Sequence, residues 1–246
     1  GADDIFQGIN TTWSRVEGGE NIGKILYAIE KNFDFINPSK HLPQLLEAYK
    51  LIQKIPDSHW RTLKSMELKD IITKVTGLYL EASASVPNTD PGSTIEVHVE
   101  TTNRSNSDIT LKSITLSPAN SGISPNIKLG DNVRQTFDIP LQVPLSTPYS
   151  SPYWLTEKGS LGMYTVNEQE LIGRPETPPA FTAQFILEFN GYEIPIDLPV
   201  NYHYAKPDKG EIYQPFEVLP KATARLLDKV LIFANGDSKS IPVKVK

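Results

Sequence analysis

Four histidines, His41, His59, His98 and His203, are the first residues to weigh as acids, bases or metal ligands. No two stand at i,i+4, and none belongs to an H-E-x-x-H pattern or lies beside an Asp in a ligand-like cluster. His41 and His59 fall at expected helix starts, and His98 and His203 on expected solvent faces, so all four read as surface or capping residues. Asp3 and Asp4 are adjacent carboxylates with no neighbouring His, a poor beginning for a metal site. With no cysteine in the chain, disulfides, thiolate zinc sites and Cys nucleophiles are excluded together. No G-x-S-x-G elbow, Walker loop or G-x-G-x-x-G occurs. Paired carboxylates working as in a glycosidase depend on spacing in the fold rather than in the sequence, and nothing singles such a pair out. An independent enzyme using them stays a third reading, which a screen of glycosidase and esterase substrates would expose.

One set of side chains suggests binding. Tyr149, Tyr153, Trp154 and Tyr164 fall within 16 positions, with Pro148 and Pro152 stiffening the path. An exposed aromatic face can stack on the apolar C–H face of a sugar, so these four are the glycan-binding candidates. The plainer alternative is that Trp154 and Leu155 plug the end of a sandwich or pack on a neighbouring domain. Trp13 and Trp60 read as packing residues. Asn10-Thr11-Thr12 and Asn103-Arg104-Ser105 match the glycosylation triplet, a pattern common by chance.

The elements that would carry these residues can be read from periodicity. Of 20 prolines, Pro38, Pro43 and Pro56 lie in residues 1–80 and the other 17 in residues 81–246. Proline is expelled from helix interiors and kept in turns and strand edges, so the shift separates a helical part from a β part. Residues 20–34 place Ile22, Ile25, Leu26, Ile29 and Phe33 at helical spacing. A second helix carries Leu42, Leu45, Leu46, Tyr49, Ile52 and Ile55, with Ser39 as a cap and Pro56 as its end. A third starts at Asp57 or Ser58, sets Trp60, Leu63, Leu68, Ile71, Ile72 and Val75 on or near one face, and stops at Gly77. Such helices make a small bundle, or a collar docked on something larger.

From Gly77 the period becomes two. Ile95, Val97 and Val99 face inward while Glu96, His98 and Glu100 face water. Asn190-Gly191 marks a two-residue hairpin. After it a single alternating strand runs from Tyr192 to Tyr204, and its Pro195 and Pro199 place it at a sheet edge. The fold class expected is α+β, multi-domain: a helical region over 1–78, then an antiparallel immunoglobulin-like β-sandwich over 79–206 with a long Pro/aromatic loop at about 140–180. Residues 207–246 form a connector and β segment around Asn235-Gly236. They begin a second sandwich, the preferred reading, or supply late strands of the first.

Bulk composition narrows the partners. A formal charge of −5 without any run of five or more like charges argues against a general nucleic-acid surface. No apolar run approaches the ~20 residues of a membrane span. The opening "GADDIFQGINTTW" has no initiator Met and no leader-like apolar stretch, and reads as a processed end of a piece cut from a longer protein.

Several segments then come in a familiar order: "FQGINTTWSRVEGG" from Phe6, "GLYLEA" from Gly77, "NRS" from Asn103, "PYWL" from Pro152, "LIGRPETPPA" from Leu171 and "GEIYQPFEVLP" from Gly210. Over roughly residues 2–220 the chain resembles the region downstream of the catalytic domain in large bacterial LmbE-like proteins, the PIG-L family of N-acetylglucosaminyl deacetylases. The resemblance implies a parent whose Rossmann-like catalytic domain binds zinc through a His-Pro-Asp-Asp type motif and hydrolyses an acetamide. Asp3-Asp4 lacks the preceding His-Pro, so no catalytic residue carries over to this chain. The resemblance thus implies a non-catalytic accessory region with no cofactor of its own and zinc in the missing domain. The resemblance further implies, as partner, the upstream catalytic domain of the same polypeptide and a location outside the bacterial cytoplasm. The alternative is a carbohydrate-binding module built on the aromatic loop.

Overall fold

A computed structural model describes residues 5–224, 240 and 242. Three α-helices come first: α1 (Glu20–Lys31), α2 (Leu42–Ile52) and α3 (Ser58–Val75). Twelve strands follow in the described chain. The first six are β1 (Tyr79–Ala84), β2 (Asn88–Thr89), β3 (Thr94–Thr102), β4 (Ile109–Ser117), β5 (Ser121–Ile123) and β6 (Ile127–Lys128). The rest are β7 (Arg134–Gln142), β8 (Thr182–Phe189), β9 (Tyr192–Pro199), β10 (Asn201–Lys206), β11 (Gly210–Pro215) and β12 (Glu217–Val218). Helices first and mixed or antiparallel sheets after make this an α+β chain.

The described residues form two compact units. The first takes them from Gly1–Pro87, Thr94–Gln142 and Pro179–Phe216, and the second from Asn88–Ser93, Val143–Pro178 and Glu217–Lys246. The structure therefore divides the chain elsewhere than at residues 78 and 206, with the helices and both large sheets in one unit. The strands read around Asn235-Gly236 lie outside the described residues.

In the first unit, α1 buries Ile22 and Ile29, and α2 buries Leu42, Leu45, Leu46, Tyr49 and Ile52. α1 stops at Lys31, before Phe33, whose ring instead stacks on His41 with centroids 5.4 Å apart. Ser39 does not cap α2. It sits in a 3₁₀ turn (Pro38–His41) and donates to Asn37 Oδ1, while His41 takes the cap position. α2 also ends at Ile52, ahead of Pro56. Asp57 does cap α3, its Oδ1 accepting the Trp60 N–H at 3.1 Å.

The end of α3 is a Schellman motif: Leu78 N–H donates to Thr73 O at 2.9 Å and Gly77 N–H to Lys74 O at 3.1 Å. Gly77 holds φ +58°, which a side chain would resist. The apolar stripe expected on α3 is narrower than read. Leu68, Ile72 and Val75 are buried, but Leu63 and Ile71 are exposed, because Ile71 lies a full residue step around the helix from Ile72.

One sheet runs β11-β10-β1-β3-β7 and the other β5-β4-β8-β9, with β6 also on β4. Every pairing in these sheets is antiparallel except β1 with β10. β3 buries Val97 and Val99 and exposes Glu96 and His98, as the alternation requires, while Ile95 is half-buried. β8 contributes Ala183, Phe185, Leu187 and Phe189, all at 0% exposure and therefore the centre of the core. Asn190 and Gly191, at φ +48° and +79°, turn β8 into β9. β9 is an edge strand, where the missing N–H groups of Pro195 and Pro199 cost no ladder bond.

The single strand read through Tyr204 is in fact two. β9 pairs with β8, and after Val200, whose N–H donates to Phe181 O at 2.9 Å, the chain joins the other sheet as β10. β11 then pairs with β10 along its whole length. Tyr49 of α2 meets Tyr192 of β9 edge-on at 6.1 Å, with Lys50 Nζ 4.6 Å from the same ring.

Candidate functional site

The second unit is held at its base by short pairings. β2 and β12 run parallel, Val143 N–H donates to Ser93 O at 2.9 Å, and Ser150 and Val218 exchange two bonds of 2.7 and 2.8 Å. Above them the Pro/aromatic segment contains only 3₁₀ turns at Tyr153–Leu155 and Gln169–Leu171 and a bridge between Ser160 and Met163. Pro148 and Pro152 withhold N–H donors from any ladder there, so side chains and turns close the segment instead. Tyr153 N–H donates to Thr177 Oγ1 at 3.1 Å and the Tyr153 hydroxyl to Arg174 O at 3.0 Å. Arg174 Nε reaches back to Glu170 O at 2.9 Å. Gly159 backs onto the Met163 carbonyl, and a Cβ there would stand 2.6 Å from it.

These ties bring three of the four aromatic candidates together. Tyr153, Trp154 and Tyr164 line a cleft of about 510 Å³ with Met163, Val166 and Ile172. Tyr153 and Trp154 stand perpendicular, centroids 4.9 Å apart at 87°, so they form two walls of a corner. Tyr164, Met163 and Ile172 are 66%, 71% and 62% exposed, which leaves apolar surface open to a ligand. No charged side chain lines the cleft. Tyr149 is exposed and takes no part in the lining. Leu155 is 55% exposed, not buried as a plug requires. Met163, Val166 and Ile172 were not anticipated, because sequence distance gives no sign that they face the rings.

The histidines occupy four different settings. His41 stands at the start of α2 in the cap position, as expected, but it is 4% exposed rather than a surface group, and its Nε2 accepts the Asp34 N–H at 3.1 Å. The 3₁₀ turn folds it inward beneath Phe33. His59 is exposed and lies edge-on to Trp60. His98 is exposed and its Nδ1 is 2.5 Å from Asp138 Oδ1 on the neighbouring strand. His203 is half-buried, its Nδ1 2.7 Å from Glu81 Oε1 but out of hydrogen-bonding line. Tyr79 donates to the other Glu81 oxygen at 2.8 Å, and burial followed by that bond pushes its phenol well above the usual range. Strand order alone assembles the Tyr79–Glu81–His203 group, and no motif announces it.

Among the described residues no group of three or more His, Asp or Glu side chains is placed to hold a metal ion. Asp3 and Asp4 lie outside them. The described residues thus do not fit the zinc that the family resemblance implies for the parent. The second glycosylation triplet is used internally: Asn103 is 1% exposed, donates to Ser107 O and Leu129 O, and accepts from Ser105. No described helix is long and apolar enough to cross a membrane.

No protein-family model matches the chain, and no curated protein does. Among solved structures there is a likeness to the Pseudomonas fluorescens alkylpurine DNA glycosylase AlkC bound to DNA containing an abasic site analog. Identity is 8% over 66% of this chain and 46% of that one, so the chain spans under half of that protein's length. The TM-score is 0.25, too low to support any conclusion about fold or function.

Proposed function

We propose that this chain is a binding module that takes the apolar face of an uncharged glycan in the Tyr153–Trp154–Tyr164 cleft. The observation that carries the reading is the perpendicular ring pair that lines, with a third ring, an open hollow without charged lining. Aromatic walls supply flat apolar contact, and preorganisation by the Tyr153–Arg174 and Tyr153–Thr177 bonds lowers the ordering cost of binding. The immunoglobulin-like form of the sandwich belongs to the same proposal. It is supported by the parallel contact of β1 with β10 between otherwise antiparallel strands and by the strand that changes sheet at Val200.

The wider setting is a non-catalytic accessory region of an exported LmbE-like deacetylase, with the upstream catalytic domain as its partner in the same polypeptide. The ordered motifs from Phe6 to Pro220 support that setting, and the zinc-dependent hydrolysis belongs to the parent. Retention on immobilised glycans tests the module. Trp154→Ala should weaken retention about tenfold or more, equivalent to about 1.4 kcal/mol, with the melting temperature unchanged. Retention that survives the change, or a wild-type chain that binds no glycan, defeats the proposal.

A further inference from the structure

A second surface lies in the connector between α1 and α2. Phe35 and Ile36 are 88% and 98% exposed at its tip. Their display is built from beneath. Asp34 Oδ1 accepts the N–H groups of Ile36 at 3.1 Å and Asn37 at 3.0 Å, while Oδ2 holds Lys40 Nζ at 2.9 Å. Phe33 meets Phe35 edge-on at 5.0 Å and stacks on buried His41. Because His41 Nε2 accepts the Asp34 N–H, the neutral ring carries its hydrogen on Nδ1. A turn so braced does not fold its two apolar side chains inward.

Next to this tip, a cavity of about 480 Å³ opens along α1 and α2. Lys24, Asn32, Lys40, His41 and Gln44 line it over an apolar floor that includes Ile29. Its charged lining residues are both lysines, Lys40 paired with Asp34 and Lys24 on α1, in a chain whose formal charge is −5. Glu30 and Glu47 belong to the same helices, but neither lines it. Lysine ammonium groups and side-chain amides around an apolar floor suit a phosphate carried on a greasy body. A convex tip of two residues is far smaller than the ~800 Å² per partner of a specific protein interface. It matches what a bilayer surface asks for: a small apolar wedge with a cation beside it.

We infer that the α1–α2 connector docks on an anionic lipid surface. Phe35 and Ile36 enter the boundary between headgroups and acyl chains, and Lys24 receives a lipid phosphate, while Lys40 stays paired with Asp34 beside it. This surface is separate from the aromatic cleft and does not depend on glycan binding.

Co-sedimentation of the whole chain with vesicles tests it. The chain should bind phosphatidylcholine vesicles containing phosphatidylglycerol, bind pure phosphatidylcholine far less, and come off as salt rises. Replacing both Phe35→Ser and Ile36→Ser should lower the bound fraction about tenfold without changing the melting temperature. Lys24→Ala should weaken binding only to the anionic vesicles. As a check independent of those losses, Ile36→Trp should add, over the wild-type emission of Trp13, Trp60 and Trp154, a blue-shifted component that brominated lipid quenches. Equal binding to both vesicle types, indifference to the Phe35/Ile36 change, or quenching by brominated lipid no greater in the Ile36→Trp chain than in the wild type would overturn the inference. So would protection of Lys24 by soluble glycerol phosphate in a chain that no vesicle retains.

Discussion

Asp34 accepts two backbone N–H groups and one lysine, and those bonds set its charge. The Asn37 N–H first, and then Lys40, pull its pKa from 3.8 to about 2. A depressed folded pKa contributes stability that is fully present above the unfolded value and lost as pH falls through the folded one. The connector should therefore keep its Asp34 bonds down to pH 3.8 and lose them as pH falls through about 2. Carboxyl carbon shifts followed by NMR should give an Asp34 midpoint near 2, and Lys40→Ala should raise it. A midpoint at the ordinary carboxylate value would mean the turn is not formed in solution. At the same scale, sequence reading picked out Tyr153, Trp154 and Tyr164 from their types and from Pro148 and Pro152 just before them. It also drew in Tyr149, which the fold leaves aside, since spacing cannot say which rings point into one hollow. His41 misled for a related reason: a helix start looks exposed in sequence until a preceding 3₁₀ turn tucks it under Phe33.

Elements were legible where a backbone rule leaves one answer. Asp57 as a cap, Gly77 as a stop and Asn190-Gly191 as a hairpin each follow from φ angles and unsatisfied N–H or C=O groups. Gly77→Ala should cost about 1–2 kcal/mol in a denaturant titration, because it forces a Cβ into left-handed backbone; that Cβ would also stand 3.1 Å from Arg104 Cβ. An unchanged midpoint would show that α3 ends differently. Asp57→Ala should cost about 1 kcal/mol through the lost Trp60 bond. Less legible was the division of one alternating run into β9 and β10. Alternation continues through Val200, so the pattern shows two facing positions but not which sheet they face. The ladder with β8 runs through Pro199 and closes with the Val200 N–H to Phe181 O bond, and from Asn201 the chain pairs with Ser83 of the other sheet.

Across the whole molecule, composition separated helices from strands, but it did not predict which of them share a core. Phe185 and Phe189 on β8 are wholly buried in the same unit that holds Ile22 and Ile72 of the helices. Phe185→Ala should therefore destabilise that unit by about 3–5 kcal/mol. The long Pro/aromatic stretch was visible as irregular, and its union with residues 88–93 and 217–219 was not, because those pairings join segments far apart in sequence. The central claim, that this second unit holds a glycan cleft, is tested most directly by calorimetric titration of the whole chain with neutral N-acetylglucosamine oligomers, wild type beside Trp154→Ala. The account predicts saturable binding by the wild type that Trp154→Ala loses while melting at the same temperature. No heat of binding from the wild type, or equal affinity from the variant, would contradict it.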